Sequence, residues 1–257
     1  MRCHKKEKAA KPMFNRKKHT LHLSMFAFFL CSYSIISAQT IGMLAWLVPI
    51  SVISIIQLIK DYHDIQRKDL LTACFLSLIV LANNTILSIA VFPAYLSATT
   101  MLHSSYDIPF LFTDKTIAKA QLRKTLLCLM AGILLAVLNL LLSNSYLHPH
   151  WKLSYLFAAL QAGIFEEVYF RLFLFAWAIR LYGKASLTSF ARVLIFIILI
   201  FPHVFLHFPQ TLDIISILML SLLFALPFSI MMQKINLFSA IGAHTLVDLL
   251  RFIMLGM

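Results

Sequence analysis

Glu166 and Glu167 stand side by side in Phe-Glu-Glu-Val-Tyr-Phe-Arg (165–171), inside an apolar run from about Leu153 to Ala178, and Glu7 is the only other glutamate in the chain. A carboxylate at bilayer depth costs about 2.5–3.5 kcal/mol on insertion scales, and an ionisable group kept there is by default functional. Glu167 and Arg171 are spaced i, i+4 and can neutralise one another on a helix. Glu166 points about 100° away from Glu167 at 3.6 residues per turn. It has no partner on its own helix and must be met from elsewhere.

Two further pairs follow, again at i, i+4. His203 and His207 lie in Phe-Pro-His-Val-Phe-Leu-His-Phe-Pro (201–209), and His244 and Asp248 lie in Gly-Ala-His-Thr-Leu-Val-Asp (242–248). A carboxylate beside histidine in an apolar setting suits general-base activation of water. A second polar pair can hydrogen-bond the oxyanion that develops on a carbonyl. Alternatively, Glu166, His207 and His244 could hold a divalent metal such as zinc, whose bound water would be the nucleophile. Plainer readings stand beside these. Glu167–Arg171 can be a structural salt pair, His203 can sit at the membrane interface next to Pro202, and Asp248 can pair with Arg251. The aromatic run Phe170–Trp177 reads as lipid-facing and packing surface.

Only membrane helices can position such groups here. The chain of 257 residues is 61% hydrophobic with mean hydropathy +0.86, well above the roughly 45–50% apolar content of soluble domains. Stretches near 21–38, 41–59, 70–97, 125–143, 153–179, 190–208, 211–232 and 237–256 are long enough to cross hydrocarbon. They lack the alternation of a barrel. The expected fold is all-α, a polytopic transmembrane bundle of about eight helices. Its parts are a basic cytoplasmic tail over 1–20, N-terminal membrane helices and a connecting segment over 21–124, and a catalytic membrane core over 125–257.

The net charge of +12 is not a nucleic-acid signal, because eight of the 22 Lys and Arg lie in the first eighteen residues, before the first span. That is a cytoplasmic flank under the positive-inside rule. A signal peptide cleaved after Ser37-Ala38 would put Ile36 where a small residue is needed, so the first span stays. Lys60, Arg67, Lys68, Lys115, Lys119, Arg123, Lys124, Arg180, Lys184, Arg192 and Lys234 fit the same side, with 144–152 opposite. This requires an even number of crossings before Lys115, where three strong runs are visible; either 85–113 returns into the membrane after Pro93, or the charge bias is broken at that loop. Cys3, Cys31, Cys74 and Cys128 are scattered and form no ligand or disulfide pattern.

The ordered trio, Glu-Glu-Val-Tyr-Phe-Arg (166–171), a helix bearing histidine, and His-Thr-Leu-Val-Asp (244–248), resembles the CPBP family of intramembrane proteases. This family includes the type II CAAX prenyl proteases and the bacterial Abi proteins, some associated with bacteriocin self-immunity. Its pattern is E-E-x-x-x-R, F-x-x-x-H and H-x-x-x-N or D, and the resemblance covers roughly 125–256. Leu199 and His203 stand four residues before His203 and His207, where the family has Phe. His207 is taken as the family histidine because Phe208-Pro209-Gln210 looks like the exit from that helix, with His203 second. Leu172 replaces a common glycine, and Asp248 a commoner asparagine.

The resemblance implies an endopeptidase of the plasma membrane, N-terminus cytoplasmic, acting on peptide or lipidated protein substrates in the bilayer. Glu166 would activate water, with His207 sharing the proton. His244 and Asp248 would polarise the carbonyl, and Glu167 with Arg171 would support them. A metal-free glutamate mechanism is preferred, with zinc left open. These groups are expected to converge in a cavity open to the cytoplasmic side. Two other readings remain: a non-catalytic immunity or binding protein of the same fold, and a proton-coupled transporter, which would be expected to show repeats that are not visible here.

Overall fold

The computed structural model describes residues 11–40, 42–105, 115–143, 146–183, 187–208 and 213–256. The first half of the basic tail, Cys3, Lys184 and the Pro209-Gln210 exit lie outside these.

Among the described residues there is no strand, and helices follow one another almost without loops. In order they are α1 Lys11–Thr40, α2 Leu44–Asp61, α3 Arg67–Leu81, α4 Thr85–Ser105, α5 Lys115–Leu142, α6 Leu153–Glu166, α7 Leu174–Tyr182, α8 Ser189–Phe205, α9 Ile214–Leu220, α10 Leu226–Lys234 and α11 Leu237–Leu255. Two of the joins are not loops. A π-helical stretch, Glu167–Phe173, carries α6 straight into α7, and another, Ser221–Ala225, carries α9 into α10. Nine continuous helical segments result among the described residues, where the sequence suggested about eight. Six are long and apolar enough to cross a membrane, with α8 a shorter apolar helix.

The extra segment comes from the run 70–97, which folds as a hairpin rather than one span. The chain turns at Ala82-Asn83-Asn84, and the Asn84 side chain caps α4 by accepting a hydrogen bond from Leu87 N at 3.0 Å. Pro93, the expected point of return, lies inside α4. Among the described residues four helices precede Lys115, of which α1, α2 and α4 are long and apolar enough to cross a membrane. Side-chain caps open the later helices too: Thr188 on α8, Asp213 on α9 and Asn236 on α11.

Close backbone approach fixes α11. It lies between α5 and α6, with Gly132 against Ala243 and Gly163 against Thr245 and Ile241. A Cβ at Gly132 would stand 2.7 Å from Ala243 Cα, and one at Gly163 would stand 2.4 Å from Thr245 Oγ1. Without solvent to drive association, such small-residue contacts let van der Waals packing hold membrane helices together. Both contacts flank His244. The aromatic run after the glutamates faces inward rather than towards lipid: Phe170, Phe173 and Phe175 are buried and Trp177 is half-buried. The reason is that its helix is the central one, packed by α4, α8 and α1.

Candidate active site

The π-helical stretch begins at the second glutamate. In a π turn the ladder accommodates one extra residue, and such turns recur at functional sites. Here Glu166 and Glu167, which an ideal helix would splay apart, reach the same histidine from two sides. Glu167 Oε1 accepts from His244 Nδ1 at 2.8 Å, while Glu166 Oε2 lies 3.6 Å from His244 Nε2. Asp248 Oδ2, one turn further along α11, is 3.4 Å from the same Nε2. The His244 ring is stacked on Phe228, centroid to centroid at 5.0 Å, a contact the sequence did not suggest.

Glu167 also forms an ion pair with Arg171 at 2.8 Å, and both side chains are fully buried. Breaking such a pair by removing one partner typically costs about 3–5 kcal/mol, because it strands a charge. Arg171 continues the chain of contacts: its Nη2 lies 3.1 Å from His203 Nδ1, and its guanidinium lies over the Phe228 ring at 5.7 Å. A guanidinium can only donate. His203 Nδ1 therefore accepts, the ring proton sits on Nε2, and Nε2 donates to Glu166 Oε2.

The histidine that meets Glu166 is thus His203, the second choice from sequence, and not His207. His203 is 3% exposed, so its side chain faces the bundle interior. It continues the buried stripe of α8 through Ile195 and Leu199. His207 falls beyond the last helical residue, Phe205, is exposed, and touches the group through His203, Nε2 to Nε2, at 3.4 Å. Pro209 was the readable signal: a helix tends to end before the residue preceding proline, and this one ended early enough to leave His207 outside. Asp248 faces His244, as expected, and Arg251, its alternative partner, is exposed.

A metal set must be revised in the same way. Glu166, His203 and His244 offer ligand atoms that all lie within 4.8 Å of one another, with His207 outside the group. One carboxylate and two imidazoles suit zinc by type. The local hydrogen bonding does not: with Arg171 donating to Nδ1, His203 Nε2 carries a proton and has no free lone pair for a metal. The residues do not fit a metal ion in this arrangement, and the chemistry below uses none.

Compared with known proteins, residues 148–250 match the family described as type II CAAX prenyl endopeptidase Rce1-like, which spans Glu166 to Asp248 and about two fifths of the chain. No curated protein and no solved structure matches.

Proposed function

We propose that this chain, which over residues 148–250 belongs to the CAAX-protease-like membrane endopeptidase family, hydrolyses peptide bonds of membrane-associated peptides or proteins with a water activated by Glu166. The observation that carries this reading is the oriented contact between His203 and Glu166. Arg171 sets the proton of His203 on Nε2, and that proton holds one oxygen of the Glu166 carboxylate. The other oxygen remains to accept a proton from water. Glu166 is the more accessible of the two glutamates, with its side chain 15% exposed against none for Glu167. It can meet substrate, whereas Glu167 cannot.

Water oxygen attacks the scissile carbonyl carbon as its proton passes to Glu166. The oxyanion that forms faces His244 Nε2, which donates when protonated, and Asp248 beside it. Collapse breaks the C–N bond, and Glu166 returns its proton to the leaving amine. Water is consumed, one carboxyl and one amine are released, and the protein regains its starting state. Glu167 and Arg171 do not touch the substrate. They position His244 and His203. Activity as a self-immunity factor belongs to the same proposal at a finer level, as one biological use of such hydrolysis.

Purified protein in detergent, incubated with a quenched fluorogenic peptide set that includes prenylated CAAX sequences, tests the reaction. Cleavage by the wild type and none by Glu166→Gln of equal thermal stability is expected. Equal cleavage by both would exclude Glu166 as the base. A non-catalytic binding protein would cleave nothing and would tolerate the change.

A further inference from the structure

The cluster of ionisable groups is braced from a helix that lies outside the matched residues 148–250. Two consecutive residues of the π-helical stretch, Tyr169 and Phe170, are fully buried, and both make contact with α2. The Tyr169 hydroxyl shares a hydrogen bond with Ser51 Oγ at 2.7 Å. The Phe170 ring meets Trp46 edge to face, with centroids 5.8 Å apart and planes at 77°. The same Phe170 ring lies 6.0 Å from the imidazole of His203. Phe170 therefore stands between α2 and the histidine that holds Glu166.

Trp46 is itself fixed, and the sequence of α2 explains how. Pro49 lies inside this helix and has no N–H, so the carbonyl of Ala45, four residues earlier, lacks its helical donor. The Tyr33 hydroxyl of α1 donates to that carbonyl, and the Tyr33 ring packs edge-on against Trp46 at 5.0 Å. Trp46 is 3% exposed. A gap in one helix is closed by a side chain of its neighbour, and that side chain presses on the indole. The contacts run unbroken from Tyr33 through Trp46 and Phe170 to His203 and Glu166.

A π turn needs support of this kind, because its ladder carries an extra residue and such turns are rare. Relaxation to 3.6 residues per turn would rotate Tyr169 and Phe170 away from Ser51 and Trp46. Buried aromatic contacts are usually packing, which would make these matter for stability alone. Their placement points further. Both fall on the stretch whose register brings Glu166 and Glu167 to one histidine, and one of them ends on the His203 ring.

We propose that Trp46 and Ser51 of α2 are positioning residues for hydrolysis: through Phe170 and Tyr169 they hold the π turn and the His203 ring in the alignment that Glu166 requires. The proposal rests on the hydrolytic reading for what that alignment serves. Neither residue touches the reacting atoms.

Steady-state cleavage and a histidine spectrum test it together. Misplacing a reacting group by about 1 Å can cost 10²-fold in rate, so Trp46→Leu should lower kcat per folded molecule by about 10-fold or more, with KM little changed and Trp46→Phe restoring most of the rate. Ser51→Ala and Tyr169→Phe break the same hydrogen bond. Each should lower kcat, and the double variant should be no slower than the slower single. Ser34→Ala, which removes a buried hydroxyl bonded to Leu30 O within α1, should leave kcat at the wild-type value. In NMR spectra of protein carrying nitrogen-labelled histidine, the Nε2–H signal of His203 is assigned by its loss in His203→Gln. That signal should move in Trp46→Leu and stay in place in Ser34→Ala. Wild-type kcat with an unmoved His203 signal in Trp46→Leu would overturn the proposal, as would strictly additive effects of Ser51→Ala and Tyr169→Phe. The Ser51–Tyr169 pair carries the test if Trp46→Leu does not fold. A wild type that cleaves nothing would count against the hydrolytic reading, and the His203 signal in Trp46→Leu would still decide whether α2 aligns the histidine.

Discussion

Two regions of this protein bring a carboxylate against an imidazole inside the bundle. In the hairpin of α3 and α4, Asp69 is 2% exposed and pairs with His103 at 2.7 Å. In the site, Glu166, Glu167, Arg171, His203, His244 and Asp248 form a continuous chain of contacts across three helices. The first is a clamp: one carboxylate oxygen meets one ring nitrogen and ties two neighbouring helices together. The second cannot close on itself. Arg171 reaches Glu167 and His203, and the proton of His203 reaches Glu166, yet Arg171 Nε and Glu167 Oε2 are buried without a hydrogen-bond partner among the described residues, and His244 Nε2 lies between Glu166 and Asp248 at 3.6 and 3.4 Å. A carboxylate–imidazole contact is a site when its neighbours orient it and leave an atom over.

The largest expected effect tests that difference. Glu166→Gln keeps the shape and the hydrogen bond from His203 but removes the proton acceptor. General-base removal costs about 10²–10⁴-fold in rate, so peptide cleavage should fall by that much while melting in detergent hardly moves. Asp69→Asn, the matching change in the hairpin, should leave cleavage untouched. A comparable loss of cleavage in Asp69→Asn would dissolve the distinction between clamp and site.

Glu167→Gln addresses the supporting part of the network. It strands Arg171, which is fully buried, and by the measure for broken buried pairs stability should drop by about 3–5 kcal/mol. Activity should fall as well, because His244 loses the acceptor on Nδ1. The double change Glu167→Gln with Arg171→Met, which removes the charge along with its partner, should recover much of the stability and little of the activity. If stability and activity were recovered together, Glu167 would be no more than a salt-bridge partner.

The three motifs were legible because bilayer depth makes ionisable groups conspicuous. Glu166, Glu167, Arg171, His203, His244 and Asp248 all stood out by residue type alone. Which histidine faced Glu166 did not. His203 and His207 share a helical face by spacing, and the choice turned on where α8 stops, which is a matter of one turn before Pro209. The π turn at Glu167 was also hidden. Residue spacing assumes 3.6 per turn, and only the packed structure reveals that the two glutamates converge. The α3–α4 hairpin was missed for a related reason. Asn83 and Asn84 interrupt the apolar run too briefly to register in hydropathy, yet Asn84 supplies the cap that starts α4.

His103→Ala should give a moderate, purely structural effect. It leaves Asp69 buried without its hydrogen-bond partner, worth about 1–3 kcal/mol and more for a charged group. Thermal melting should register the loss, while the rate per folded molecule stays at the wild-type value. A changed pH profile of cleavage in this variant would show that the hairpin communicates with the site.

The smallest expected effect belongs to Asp248→Asn, and it discriminates most finely. Asp248 Oδ2 lies 3.4 Å from His244 Nε2. If the pair binds the oxyanion, Asp248 can donate a hydrogen bond only when protonated, whereas an amide donates in any state. Asp248→Asn should therefore still cleave peptide at close to the wild-type rate, because the amide donates without a proton to gain. Had Asp248 been a metal ligand, the same change would weaken the metal and lower activity at every pH, with partial rescue by added zinc and sensitivity of the wild type to chelators. The proton that Arg171 forces onto His203 Nε2 argues against that course. Cleavage measured across pH for both proteins, with and without chelator, separates the two. A chelator-sensitive wild type with an inactive Asp248→Asn would mean that Arg171 releases His203 in the working enzyme, and the network drawn from the resting structure would have to be redrawn around a metal.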